Sequence, residues 1–92
     1  VSYQHLPPHA FVRQIIKIND EGNKLSLRSD RVYIITRLTR YASELAGLLR
    51  NALNDKKRPA ATQIKIIMHL RDELIRTLDA LEIINELESN NV

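Results

Sequence analysis

An all-α domain, three helices built on a long antiparallel hairpin, is the fold class this sequence predicts, and three observations predict it. Apolar residues recur at helical spacing over most of the chain. The apolar share, 43%, is mainly Leu and Ile with some Ala, and aromatics make up only 4%. A sandwich or barrel would draw more on Val, Thr and aromatics. Two glycines and three prolines are too few for the many turns of an all-β chain.

Residues 1–7 are expected to form a flexible arm that ends in Pro7-Pro8, because proline suits the first turn of the helix that follows. The first helix is predicted at about 8–21: Phe11, Ile15 and Ile18 share a stripe with Val12 and Ile16 beside it, and Gly22 offers a stop. A competing pattern stands beside it, in which 12–28 forms a β-hairpin turning at Asn19–Asn23; the helix is favoured. Ser29 or Asp30 supplies an N-cap oxygen for a second helix at about 30–54. Its heptad sets Ile35/Ala42/Leu49 and Leu38/Leu45/Ala52, flanked by Ile34, Tyr41 and Leu48, make a band wider than a two-helix seam requires. The run Asp55–Pro59 breaks the pattern. A third helix is predicted from about 60 to 88, with the apolar stripe Ile64, Ile67, Leu70, Leu74, Leu78, Leu81 and Ile84 and with Met68 and Ile75 alongside. Residues 89–92 read as a polar tail, leaving 8–88 as one domain.

The two long helices should be roughly 38 and 44 Å long, and the first roughly 21 Å, at ~1.5 Å per residue. Joined by a short loop, the long pair forms a hairpin that the first helix covers over only about half its length. It should cover the half farther from the loop, where Ile83 and Leu87 would meet Phe11, Ile15 and Ile18, with Leu25 and Leu27 plugging the 22–28 link. The loop half stays thinly covered, so an apolar groove near 55–59 is the expected docking site. Leu48, Leu53, Ile64 and Met68 are its apolar candidates, and Lys56, Lys57 and Arg58 its basic rim. The expected occupant is a protein partner's amphipathic helix or a second copy, with the chain forming part of a larger protein or assembly.

Charge is uneven, +3 overall, with 11 Lys/Arg against 5 Asp/Glu in residues 1–58 and 3 against 6 in 59–92. A basic stretch that pairs partly with an acidic helix leaves a remainder favouring acidic partners. Nucleic acid is therefore the alternative partner, through Arg37, Arg40, Lys57 and Arg58, although no recognition turn, zinc finger or stacking platform is visible. Enzymatic chemistry is not expected. No cysteine is present, and His5 and His9 are split by two prolines. The carboxylates Asp72, Asp79, Glu82 and Glu86 lack a Glu-x-x-His companion, and no phosphate loop or nucleophile elbow occurs. No cofactor or metal is expected. No apolar run is long enough to span a membrane, and a cytoplasmic or nuclear setting is the default.

Overall fold

The computed structural model describes residues 2–89, and over them the chain is helical, with no strand. Four α-helices follow one 3-10 turn at Ser2–His5: α1 (Pro8–Asp20), α2 (Lys24–Ser29), α3 (Arg31–Asn54) and α4 (Ala60–Ser89). The α3 and α4 helices form the predicted antiparallel hairpin, and the molecule is long and flat, 49 × 25 × 19 Å.

Pro8 opens α1 with its φ already set and no N–H to lose. At the other end Gly22 adopts φ +78°, the Asn23 N–H donates to Ile18 O at 3.1 Å and the Gly22 N–H to Asn19 O at 3.0 Å. This is a Schellman stop, and it ends the helix where the glycine predicted. The hairpin alternative for 12–28 is not what forms, since Lys24–Ser29 is a short helix. A hairpin there would leave two strands with no sheet to join, whereas helical α1 turns Phe11, Val12, Ile15 and Ile18 together into the core. Burying each of the four contributes about 2 kcal/mol. Leu27 plugs the link as expected, but Leu25 points to solvent, 76% exposed, because α2 makes a turn in which only one of the two can face inward.

The expected flexible arm is docked over its described residues. Tyr3 is fully buried, packs its ring at 5.7 Å from that of Phe11, and donates its hydroxyl to the Asp30 carboxylate. Asp30 thus holds the N-cap position of α3 without capping it by its side chain. Arg37 fixes the arm as well, donating to the carbonyls of Gln4 and Leu6 and lying 4.2 Å over the Phe11 ring. Residue 1 of the arm and residues 90–92 of the tail lie outside the described residues, and Ser89 closes α4.

Between α3 and α4, Asp55 organises the turn. One carboxylate oxygen accepts the Lys57 N–H at 2.9 Å and the other pairs with Arg58 at 3.1 Å, while Pro59 O accepts the Gln63 N–H to start α4. The main core sits at the opposite end. It joins Tyr3, the α1 stripe and Leu27 to Ile34 and Leu38 of α3 and to Ala80, Ile84 and Leu87 of α4. The short helix therefore covers the half of the hairpin away from the loop.

Candidate docking site

The inner seam of α4 runs through Ile66, Leu70, Glu73, Thr77, Ala80, Ile84 and Leu87, at alternating steps of four and three. Of these Glu73, Thr77, Ala80, Ile84 and Leu87 are buried. Of the predicted apolar stripe only Ile84 is fully buried. Ile67, Leu70, Leu74 and Leu81 are half-buried, and Ile64 and Leu78 are exposed by 56% and 50%. In its middle turns the helix places Glu73, Thr77 and Ala80 inward and leaves Ile75 and Leu78 exposed.

Glu73 explains the rotation. It is 4% exposed, and Arg13 of α1 grips it with two hydrogen bonds of 3.1 and 3.0 Å while the Tyr41 hydroxyl of α3 donates at 3.1 Å. Burial alone would raise its pKa, but the hydrogen bonds from Arg13 and Tyr41 and the charges of Arg13 and Arg76 hold it below the usual carboxylate range. Burial of Tyr41, with its bond to Glu73 and that carboxylate's charge, pushes the phenol up to about 12. A buried carboxylate of this kind must face its partners, so α4 is locked with Glu73 toward α1 and α3. Sequence inspection missed this residue. The available signal was a charged residue in register with Leu70 and Ile84.

The outward flank of α4 is a stripe of Ile64, Met68, Ile75 and Leu78, all exposed, with Ile67, Leu74 and Leu81 bordering it on one side. By helical register it lies opposite the seam with α3. A second apolar region sits at the loop end. There Leu48, Ala52, Ile66 and Leu70 line a cleft of about 300 Å³, with Asn51, Asp55, Arg58 and Gln63 supplying the polar rim. The Gln63 Oε1 is buried without a hydrogen-bond partner. Leu48 follows Tyr41 by one heptad, so the cleft continues the side of the hairpin on which α1 lies.

The four apolar candidates from the sequence are all exposed but do not share one groove. Leu48 lines the cleft, and Ile64 and Met68 belong to the α4 stripe. Leu53, 61% exposed, follows Leu49 by one turn and Ile35 by eighteen residues, on the side away from α1. Lys56, Lys57 and Arg58 are exposed at the turn, with Arg58 tied to Asp55. Of the cations considered for phosphate binding, Arg40, Lys57 and Arg58 are exposed, Arg58 with its surface pair to Asp55, whereas Arg37 carries the internal bonds described above. Among the described residues no group of three metal-ligating side chains converges, and no helix is long and apolar enough to cross a membrane.

The chain matches no protein-family model, and no curated protein or solved structure is significantly similar to it.

Proposed function

We propose that this chain is a non-catalytic helical docking module that joins a larger assembly through the outward apolar stripe of α4, with the loop-end cleft as a second, separate apolar surface. The observation that carries the proposal is the rotation of α4. Glu73, Thr77 and Ala80 occupy the seam, while Ile75 and Leu78 in the same turns are about half exposed. A helix apolar on both flanks wants neighbours on both, and among the described residues the neighbours of α4, namely α1, α2 and α3, leave Ile75 and Leu78 exposed. Contiguous exposed apolar area of this kind marks interaction surfaces. The non-catalytic part of the proposal rests on the sequence, which carries no nucleophile, phosphate-loop or metal-ligand pattern.

Dye binding to the dilute, folded chain tests it. An apolar fluorophore should bind wild type, and Ile75→Asp with Leu78→Asp should reduce that signal several-fold while helical circular dichroism and Tm stay within a few degrees. Ile84→Asp, in the buried seam, should unfold the domain instead. Should the α4 stripe variants unfold as Ile84→Asp does, those side chains are core and the docking surface is lost.

Nucleic-acid binding draws less support, because Arg37 already serves the fold and Arg58 pairs with Asp55 at the turn. An oligonucleotide titration at two salt concentrations decides it. Affinity falling steeply with salt would promote this partner, and no binding at low salt would remove it.

A further inference from the structure

We infer that the occupant of the α4 stripe is a second copy of this chain, with the two α4 helices running antiparallel; this rests on the docking module proposed above and adds the partner's identity. Along the outer flank, at alternating steps of four and three, stand Ile64, Met68, Arg71, Ile75, Leu78, Glu82 and Asn85. That alternation is the seam pattern of a two-stranded coil.

The series fits its own reverse. When Ile75 of one copy lies opposite Leu78 of the other, Arg71 lies opposite Glu82 and Met68 opposite Asn85, and each layer occurs twice about the two-fold axis. The centre of the seam is then apolar, and it is closed on both sides by an ion pair. In the parallel alignment Arg71 meets Arg71 and Glu82 meets Glu82, so like charges face each other at two layers. One shift of the antiparallel register along the seam places Arg71 against Ile75 and leaves its charge unpaired. The charges therefore choose both direction and register.

Both charged residues are available for this. Glu82 is exposed, and among the described residues Arg71 is held by its exposed neighbour Asp72 at 3.1 Å, a pair that exchanges readily. The wider charge distribution agrees, since Lys56, Lys57 and Arg58 stand at the loop end and Asp79, Glu82 and Glu86 toward the other. Antiparallel association brings the basic end of each copy toward the acidic end of its mate. The seam from Met68 to Asn85 is about 25 Å long. Its footprint is on the order of 500 Å² per copy, below the usual share of a permanent interface, so the dimer is expected to be reversible.

The test uses the whole chain. Sedimentation over rising concentration should show the mass move from one copy toward two. Arg71→Glu should weaken association about tenfold or more, Glu82→Arg likewise, and the Arg71→Glu/Glu82→Arg double variant should recover most of it. The chain has no cysteine of its own, so direction is read by mixing Met68→Cys with Asn85→Cys chains under mild oxidation. Mixed disulfides are expected. Disulfides between two Met68→Cys chains would overturn the antiparallel alignment. A chain that stays single at every concentration yet binds the apolar dye through Ile75 and Leu78 overturns self-association and leaves the docking module intact. A single chain that binds no dye removes both.

Discussion

Glu73 is the residue at which three helices are tied together, and its chemistry yields a prediction at that scale. Arg13 and Tyr41 both donate to it, and its own helix uses the Thr77 hydroxyl to cap the Glu73 carbonyl at 2.8 Å. Replacing it with alanine leaves the half-buried Tyr41 hydroxyl without its acceptor and releases Arg13. The expected cost is about 2 kcal/mol, or a Tm lower by roughly 10 °C in a domain of this size. The pH dependence follows from the same contacts. Because folding lowers the Glu73 pKa, its contribution is complete above the usual glutamate value and is lost as pH falls through the lower folded value. Folding raises the Tyr41 pKa to about 12, so that contribution is complete below the ordinary tyrosine value near 10 and fades between about 10 and 12. Burial and then the bond to Asp30 raise the Tyr3 phenol too, which adds to the alkaline loss. Thermal melts from pH 3 to pH 11, with Glu73→Gln and Tyr41→Phe alongside, check this. Glu73→Gln should flatten the acid limb and Tyr41→Phe part of the alkaline one.

At the scale of elements, the ends of the helices were the most legible features in the sequence. Pro8, Gly22 and Pro59 set them by local backbone chemistry that needs no tertiary partner. Gly22 gives a clean test, since nothing lies within 4 Å of where a β-carbon would stand and its φ is +78°. Gly22→Ala should therefore destabilise by about 1 kcal/mol through backbone strain alone, measurable by urea unfolding with an unchanged m-value. A larger loss with a changed m-value would mean the α1–α2 turn had rearranged. The rotation of α4 was not legible. An apolar count along α4 favours the 64/67/70/74/78/81/84 stripe, but the seam that forms takes in Glu73 with its partners and leaves Ile64 and Leu78 exposed. The docking of the arm was hidden for a similar reason. Its anchor is a single aromatic, Tyr3, whose partners lie at Phe11 and Asp30, too far along the chain for any local pattern to register.

Over the whole molecule, the mismatch in helix length becomes a gradient of burial. The core that includes α1, α2 and the arm lies at one end, while toward the loop α3 and α4 have, among the described residues, only each other. Leu45 is the last residue of α3 to be buried, and α4 has no buried residue before Glu73. Local opening should follow the same gradient, because it costs least where few apolar contacts must be broken. Amide exchange is expected to be slowest around residues 34–45 and 73–87 and faster by an order of magnitude or more across 48–70. Uniform protection along the hairpin in the dilute, single-copy state would show that the loop half has cover of its own. In the dimer, exchange around 71–82 should slow further, and the loop-end cleft at Leu48 and Gln63 should change less.

The number of long helices, their hairpin and the uncovered half were determined by the sequence alone, because helical periodicity, proline and glycine act within a few residues of themselves. Which face of α4 turns inward was decided only in three dimensions. A carboxylate buried without partners would be costly, and the partners of Glu73, namely Arg13, Tyr41 and Arg76, come from α1 and α3 as well as α4. The same long-range constraint leaves Ile75 and Leu78 facing outward.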